Sequence, residues 1–302
     1  MIKKGFSLAL TLWIVAIMSL ASVLYLSYAK KVVQKTKLLN QKLQLTFDTE
    51  STIELLKFYI ATGYFERYRI KNNTIKDKFP SLPNSLLIDG TEEVFDNRTV
   101  CLQDTAGLIN ISDTDAISNY FVQLNEIEKK TIIVDSMKDW LDLNEFVRLN
   151  GAENSYYRNQ KYLYGPRNQL YFASIEEIFL VRGLTKYTQE EQNKFYNDLI
   201  VSNLSSRNLL TMDMNLLQKI YGFTQNEIEQ LKDAKKEDIN LFMSMFYRFN
   251  MQSVNLERDD SFPSNILKIT VHSNINNIKK NIVLLISFKS SREYLFRILE
   301  YH

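Results

Sequence analysis

Oxygen ligands are the chemistry this sequence offers most openly. Asp139, Asp142, Asn144 and Glu145 fall within seven residues, and hard oxygen donors at such short spacing suit a calcium ion. A solvated helix end is the commoner meaning of such a group, so Asp139, Asp142 and Glu145 stand as weak calcium candidates. Asp259 and Asp260 read as an exposed loop. Nucleophilic and phosphate chemistry find no equipment: the sequence has no Gly-x-Ser-x-Gly, no Gly-rich phosphate loop and no His-Glu-x-x-His. His272, one of two His, lies inside a strand-like run without an obvious partner. Cys101 is the sole Cys, which excludes an intramolecular disulfide framework and a Cys-based zinc cluster. On a strand it reads as a small buried hydrophobe. The reading is that of a protein that is not an enzyme.

The elements that must position these residues follow from composition and pattern. The chain has 302 residues, 45% of them apolar, with only 8 Gly and 4 Pro; this describes a globular chain of about two domains and excludes collagen-like or Pro/Gly-rich disorder. Its 37 Lys and Arg nearly balance 35 Asp and Glu, so bulk charge does not draw it to nucleic acid. A helix-hairpin-helix form around Leu210–Leu231, with Ile220-Tyr-Gly222-Phe between two helices, sits among Asp213, Glu227 and Glu229. That neighbourhood lacks the positive charge phosphate binding needs. It reads as scaffold, and no nucleic-acid partner is expected.

Residues 1–31 break from the average. Phe6 to Ala29 is a run of 24 uncharged residues flanked by Lys4 and Lys30. As a helix it would be about 36 Å long, enough for the hydrocarbon core of a membrane, with Tyr25 and Tyr28 near one end as interfacial aromatics. Three readings compete. The run is long for a secretory signal peptide, although Ser27-x-Ala29 satisfies the small-residue cleavage rule. A plain uncleaved signal anchor is the second, and positive-inside counting does not orient it, since Lys30, Lys31, Lys35 and Lys37 outnumber Lys3 and Lys4. The third comes from Lys3-Lys-Gly-Phe-Ser7 at the start of the apolar run, which resembles the class III signal of type IV prepilins. That resemblance implies a cut between Gly5 and Phe6 by prepilin peptidase, N-methylation of Phe6, and retention of the apolar segment as an assembly helix. The fifth residue after the cut is normally Glu in this class, where it pairs with a neighbour's N-terminus; here it is Leu10. An unpaired carboxylate in hydrocarbon is costly, and the family member that regularly lacks this Glu is the one assigned to the filament tip.

Beyond the anchor the pattern stays helical to about Tyr64. Leu39, Leu43 and Phe47, then Ile53, Leu56 and Ile60, recur at spacings of three and four, and a single helix from Phe6 to about Thr62 or two helices broken near Lys30–Lys37 both fit. Residues 66–83 read as a loop. Strand-like runs follow at Leu86–Ile88, Thr99–Leu102 and Leu108–Ile111, with Asp104-Thr-Ala-Gly107 suited to a hairpin turn. Helices are expected from Ser112 to Leu124, from Ile127 to Leu143, after a capping box Ser174-Ile-Glu-Glu177, from Thr188 to Val201, from Thr211 to Tyr221 with Gly222 beyond it, after a second box Thr224-Gln-Asn-Glu227, and from Glu237 to Phe249. Strands return at Ile266–His272 and Ile282–Phe288 around a turn at Asn274–Asn277, and Arg292–Tyr301 reads as a strand or short helix.

Between 140 and 184 the residues Trp140-Leu-Asp142, Gly151-Ala-Glu153, Tyr156-Tyr157, Tyr164-Gly-Pro166-Arg-Asn168 and Glu177-Ile-Phe-Leu-Val-Arg-Gly183 recur in an order and spacing that resemble the signature of type II secretion minor pseudopilin K. Structural roles come first for them: core for Trp140, turn and cap geometry for Gly151 and Gly183. The resemblance implies an α+β pseudopilin fold, a long N-terminal helix on a small antiparallel sheet with an all-α domain inserted between strands. It divides the chain into a leader (1–5), a transmembrane and assembly helix (6–29), a first pseudopilin part (30–111), the insert (112–258) and C-terminal strands (259–302). It implies a place at the tip of a pseudopilus anchored in the inner membrane of a Gram-negative bacterium, with the bulk in the periplasm. The partners it implies are minor pseudopilins I and J, the major pseudopilin, the inner-membrane assembly platform and prepilin peptidase. No cofactor is implied except calcium, which some relatives hold. A minor pilin of a type IV pilus and a signal-anchored periplasmic domain are the alternatives.

Overall fold

In the computed structural model the described residues are 2–301 apart from 74, 76–77, 81, 96–97, 122–126, 168, 203–206, 251–258, 261, 276–277 and 289–296. The helix α1 (Ile2–Thr62) runs unbroken for 61 residues. It is long and apolar enough to cross a membrane, and every side chain from Leu10 to Tyr28 is exposed, covered by none of the described residues. Further along, Leu45, Thr49, Thr52, Ile53, Leu56, Tyr59 and Ile60 are buried at spacings of one to four, one stripe of the helix. The expected stripe thus holds only from Ile53 on: Leu39, Leu43 and Phe47 are exposed. The reason lies in the reach of the sheet, whose outermost bonds to the helix are Lys280 Nζ to Thr46 Oγ1 (3.1 Å) and Thr49 Oγ1 to Ser273 Oγ (2.9 Å).

After α1 come β1 (Tyr64–Phe65), β2 (Arg69–Lys71) and β3 (Ser85–Leu87), a small antiparallel sheet where a loop was expected over 66–83. Then follow β4 (Asp89–Phe95) and β5 (Arg98–Asp104). The chain next leaves the sheet through β6 (Ile109–Asn110), α2 (Thr114–Phe121), α3 (Ile127–Leu141), α4 (Asn154–Asn159), α5 (Gln189–Phe195), β7 (Leu199–Ile200), β8 (Arg207–Asn208), α6 (Met214–Tyr221), α7 (Gln225–Glu237), α8 (Ile239–Phe249) and β9 (Asp259–Asp260). It returns as β10 (Ile266–Ile275), β11 (Ile278–Ser287) and β12 (Arg297–Tyr301). The main sheet has the order β12-β11-β10-β5-β4, antiparallel throughout. Alternate residues Leu267, Ile269 and Val271 of β10 and Ile282, Leu284 and Ile286 of β11 face α1 with Val100 and Leu102 of β5, as the two-residue strand period requires.

β5 and β10 are neighbours, with Asp104 opposite Leu267, so residues 105–265 leave and re-enter at one end of the sheet. The expected hairpin at Asp104–Gly107 does not form. These residues make a 3-10 turn capped by the Asp104 side chain, and β6 pairs in parallel with β7, not with β5. The departing helices enclose a second core, with Ile117, Met137, Trp140, Tyr157, Leu217, Leu231 and Phe246 among its buried members.

One carboxylate closes the junction. Asp104 is fully buried; Oδ1 accepts from the amides of Ala106 (3.2 Å) and Ser264 (3.0 Å), and Oδ2 accepts from Asn208 Nδ2 (2.9 Å) and Thr211 Oγ1 (3.2 Å). Asn208 spends its second amide hydrogen on the Arg67 carbonyl (3.0 Å). Gly107 is required there because a Cβ would stand 2.5 Å from the Thr211 carbonyl oxygen.

Two expected helices differ, and a third forms as its capping box predicts. Thr188 caps α5 with a full capping box, but the helix ends at Phe195 and the chain becomes β7. Thr224 and Glu227 form the expected box on α7, which runs on to Glu237, and Gly222 ends α6 with a left-handed φ of 71°. The Ser174 box does not form: only a 3-10 turn, Glu176–Leu180, follows, because Glu177 bonds elsewhere. The turn at Asn274–Asn277 and the start of the Arg292–Tyr301 segment lie partly outside the described residues.

Candidate functional site

The signature residues converge on the end of α3. Trp140 is buried there, its Nε1 donating to Glu177 Oε1 (3.0 Å) while Glu177 Oε2 accepts from the Ala173 amide (2.7 Å) and lies 3.7 Å from Arg167 Nη1. The Trp140 ring stands edge-on to Tyr157 at 5.4 Å. Tyr157 is fully buried, and its hydroxyl accepts from the Arg182 amide (3.0 Å); burial drives its pKa far up. The Arg182 guanidinium covers the Tyr156 ring at 4.7 Å and donates to the Gly151 carbonyl (2.8 Å). Gly183 has a φ of 95°, and a Cβ on it would approach Ile133 Cγ1 to 2.9 Å. Pro166 is buried, and Asn168 lies outside the described residues. These contacts join loops 142–153 and 160–183 to α3 and α4.

Beside Trp140 lies an acidic cluster in that framework. Asp139 and Asp142, one helical turn apart on α3 and its end, come together with Glu153, the residue before α4, so that one oxygen from each lies within 4.8 Å of the others. Asp139 and Glu153 are buried. A single nitrogen, Arg148 Nη1, donates to Asp139 Oδ1 (2.6 Å) and to Asp142 Oδ2 (2.5 Å). Gly151 fits only without a side chain, since its Cβ would stand 1.8 Å from Asp139 Oδ2. Glu153 does not cap α4, and both of its carboxylate oxygens are buried without a hydrogen-bond partner. Burial, followed by the charges of Asp139, Asp142 and Glu145, pushes its pKa up to about 7, against the opposing pull of Arg148.

Of the calcium candidates, Asp139 and Asp142 are thus brought together, whereas Glu145 is exposed, outside the trio, and accepts from Asn154 Nδ2 (3.4 Å). Glu153 takes the third place. It stands 11 residues beyond Asp142, and the signal for it was the Gly-Ala-Glu of the signature rather than local carboxylate spacing. The trio passes a chemical test for a hard divalent cation: all three donors are carboxylates, and one is a buried acceptor that nothing satisfies. At the other end of the chain, Gly5 and Phe6 lie in the first turns of α1, and Leu10 is exposed.

A family model described as type II secretion system protein K matches residues 120–195, the stretch that contains every signature residue. Over those residues the chain resembles type II secretion system protein K. Among solved structures, a chain of the GspK-GspI-GspJ complex from the type 2 secretion system of enterotoxigenic Escherichia coli shares its fold at a TM-score of 0.51 with 15% identity, over 89% of this chain and 98% of that one. No curated protein matches the sequence. The long helix on an antiparallel sheet is an α+β pseudopilin fold, and among the described residues the N-terminal helix is the one long and apolar enough to cross a membrane.

Proposed function

We propose that this chain is the tip subunit of a type II secretion pseudopilus, which nucleates or caps the filament during protein export across the outer membrane. The observation that carries the reading is Leu10, the fifth residue after the Gly5–Phe6 junction, on a helix whose side chains are all exposed from there to Tyr28. A subunit with nothing above it has no ammonium to offer a Glu at this place, and an unpaired carboxylate in hydrocarbon is expensive. The rest of that surface suits close lateral packing: Ala16 and Ala21 are small, and the Ser19 and Ser22 hydroxyls bond back to carbonyls four residues earlier, at 2.8 Å each. In this reading prepilin peptidase cuts before Phe6 and methylates it, the bulk of the chain stands in the periplasm, and minor pseudopilins I and J, the major pseudopilin and the assembly platform are the partners. The naming of I and J rests on the fold shared with a chain of the GspK-GspI-GspJ complex.

We further propose that Asp139, Asp142 and Glu153 hold calcium. A calcium ion supplies positive charge that one guanidinium does not bring to all three carboxylates, Glu153 above all; Asp139 and Glu153 bring it against the insert's core, and Gly151 keeps the approach open.

Intact mass tests the route: a chain that begins at methylated Phe6 only in cells with prepilin peptidase is expected, and one that begins at Met1 or Lys30 in both would sink it. Secretion with Leu10→Glu tests the tip. Impaired assembly, or filaments extended beyond the tip, is expected; normal secretion and normal filaments would remove the reason given for Leu10.

A further inference from the structure

The acidic trio is not empty of positive charge. Arg148 Nη1 lies between two of its members, at 2.6 Å from Asp139 and 2.5 Å from Asp142. Those are also the distances, about 2.3–2.6 Å, at which calcium meets carboxylate oxygens. One nitrogen with two hydrogens satisfies two acceptors and no more, so the third carboxylate, Glu153, is left with both oxygens buried and unpartnered. A metal ion has no such limit, since calcium accepts six to eight oxygens. The Arg148 side chain is 38% exposed, so its head can leave for water without disturbing the core, whereas Asp139 and Glu153 cannot leave. Its backbone has a separate hold, the Arg148 amide donating to Asp139 Oδ2 at 3.2 Å.

We propose that Arg148 is a resident cation built into the site: its guanidinium holds Asp139 and Asp142 in place until a divalent cation displaces it and gathers Glu153 as well. This rests on the calcium reading and adds a competitor to it. Arg148 sets the affinity by occupying ligand oxygens, so the chain keeps Asp139 and Asp142 bridged where calcium is scarce and exchanges one cation for another where calcium is plentiful. An organising role makes the opposite prediction, because a guanidinium that prepares the acids for the ion should strengthen binding.

The test uses the full chain in detergent micelles, titrated with calcium by calorimetry and with terbium by the luminescence that Trp140 and Tyr157 sensitise. Arg148→Gln is expected to bind either ion about tenfold more tightly than the parent, and Glu153→Gln to lose most binding. Parent and Arg148→Gln binding equally, or Arg148→Gln binding more weakly, overturns the exchange and leaves the calcium site standing. No binding by either at millimolar calcium overturns the calcium reading, and the exchange with it. Modification of the unaltered chain by an arginine-selective dicarbonyl, mapped by mass, needs no variant to fold: calcium should speed labelling of Arg148 about fivefold or more, and unchanged or slower labelling counts against displacement.

Discussion

Removing the Asp104 carboxylate should loosen the junction between the two cores. A hydrogen bond to a charged group contributes about 1.5–3 kcal/mol, and a buried donor without a partner costs about 1–3 kcal/mol. Asp104 accepts four such bonds. The four are not additive, and the Ala106 and Ser264 amides can recover water once the methyl of Ala leaves room, so Asp104→Ala should cost about 4–6 kcal/mol. Asp104→Asn separates charge from shape. Its remaining oxygen can keep both amides and the Thr211 hydroxyl can rotate, but its new NH2 faces the Asn208 NH2. Turning Asn208 over would forfeit the bonds to the Arg67 carbonyl and from the Leu210 amide, so the cost should be about 2–3 kcal/mol. Urea unfolding of the full chain in detergent measures both. With Trp13→Phe in the background, Trp140 alone reports the helical core, and far-UV circular dichroism reports the whole. Against a typical total of about 5–15 kcal/mol, Asp104→Ala should lower the midpoint steeply and split the two signals. A loss below about 1 kcal/mol, with the signals still coincident, would refute the view that this carboxylate couples the insert to the sheet.

Gly151→Ala should destabilise the insert by about 3 kcal/mol or more through the clash of the new methyl with Asp139, and should abolish terbium luminescence. A stable, binding-competent Gly151→Ala protein would show that the loop yields at that point. Glu153 makes stability depend on pH in a definite direction. Its folded pKa is raised from 4.5 to about 7, so its contribution is complete below about pH 4.5 and is lost as pH climbs through about 7. Without divalent ions, thermal unfolding should therefore show stability falling from pH 5 to 8; Glu153→Gln should flatten the fall and excess calcium should reverse it. A slope unchanged by Glu153→Gln assigns the effect to another group.

What the sequence exposed and what it hid divide along the range of the interaction. The helix caps at Thr224 and Gly222 are local chemistry, and they form where the side chains said they would. Local chemistry failed where a distant group competed for the same atoms. Glu177 has the spacing to close a box with Ser174, yet its carboxylate goes to Trp140, 37 residues earlier, which leaves a short 3-10 turn. Asp104 begins a stretch composed like a turn, but its oxygens are claimed by Asn208, Thr211 and Ser264, and the supposed hairpin is the neck of a long excursion. The acidic site shows the same division. Asp139 and Asp142 share a helix face and were legible as a pair; Glu153 joins them only because Gly151 lets the returning loop pass against Asp139.

The exposed stripe on α1 carries this reasoning to function. Periodicity tells that a helix has an apolar face, not what covers it. Ile53, Leu56 and Ile60 are covered by the sheet, whereas Leu39, Leu43 and Phe47, at the same kind of spacing, remain about half to two-thirds exposed. The sheet ends near Thr46, so none of the described residues covers them, and the same unbroken helix carries the exposed apolar segment Leu10–Tyr28 further back. Three large apolar side chains left half in water forgo about 1–2 kcal/mol each, roughly half the value of full burial, a cost one subunit cannot recover alone. In the proposed filament, neighbouring helices packed along its axis would recover it, and the side chains that make this chain costly as a monomer are those that would favour such packing.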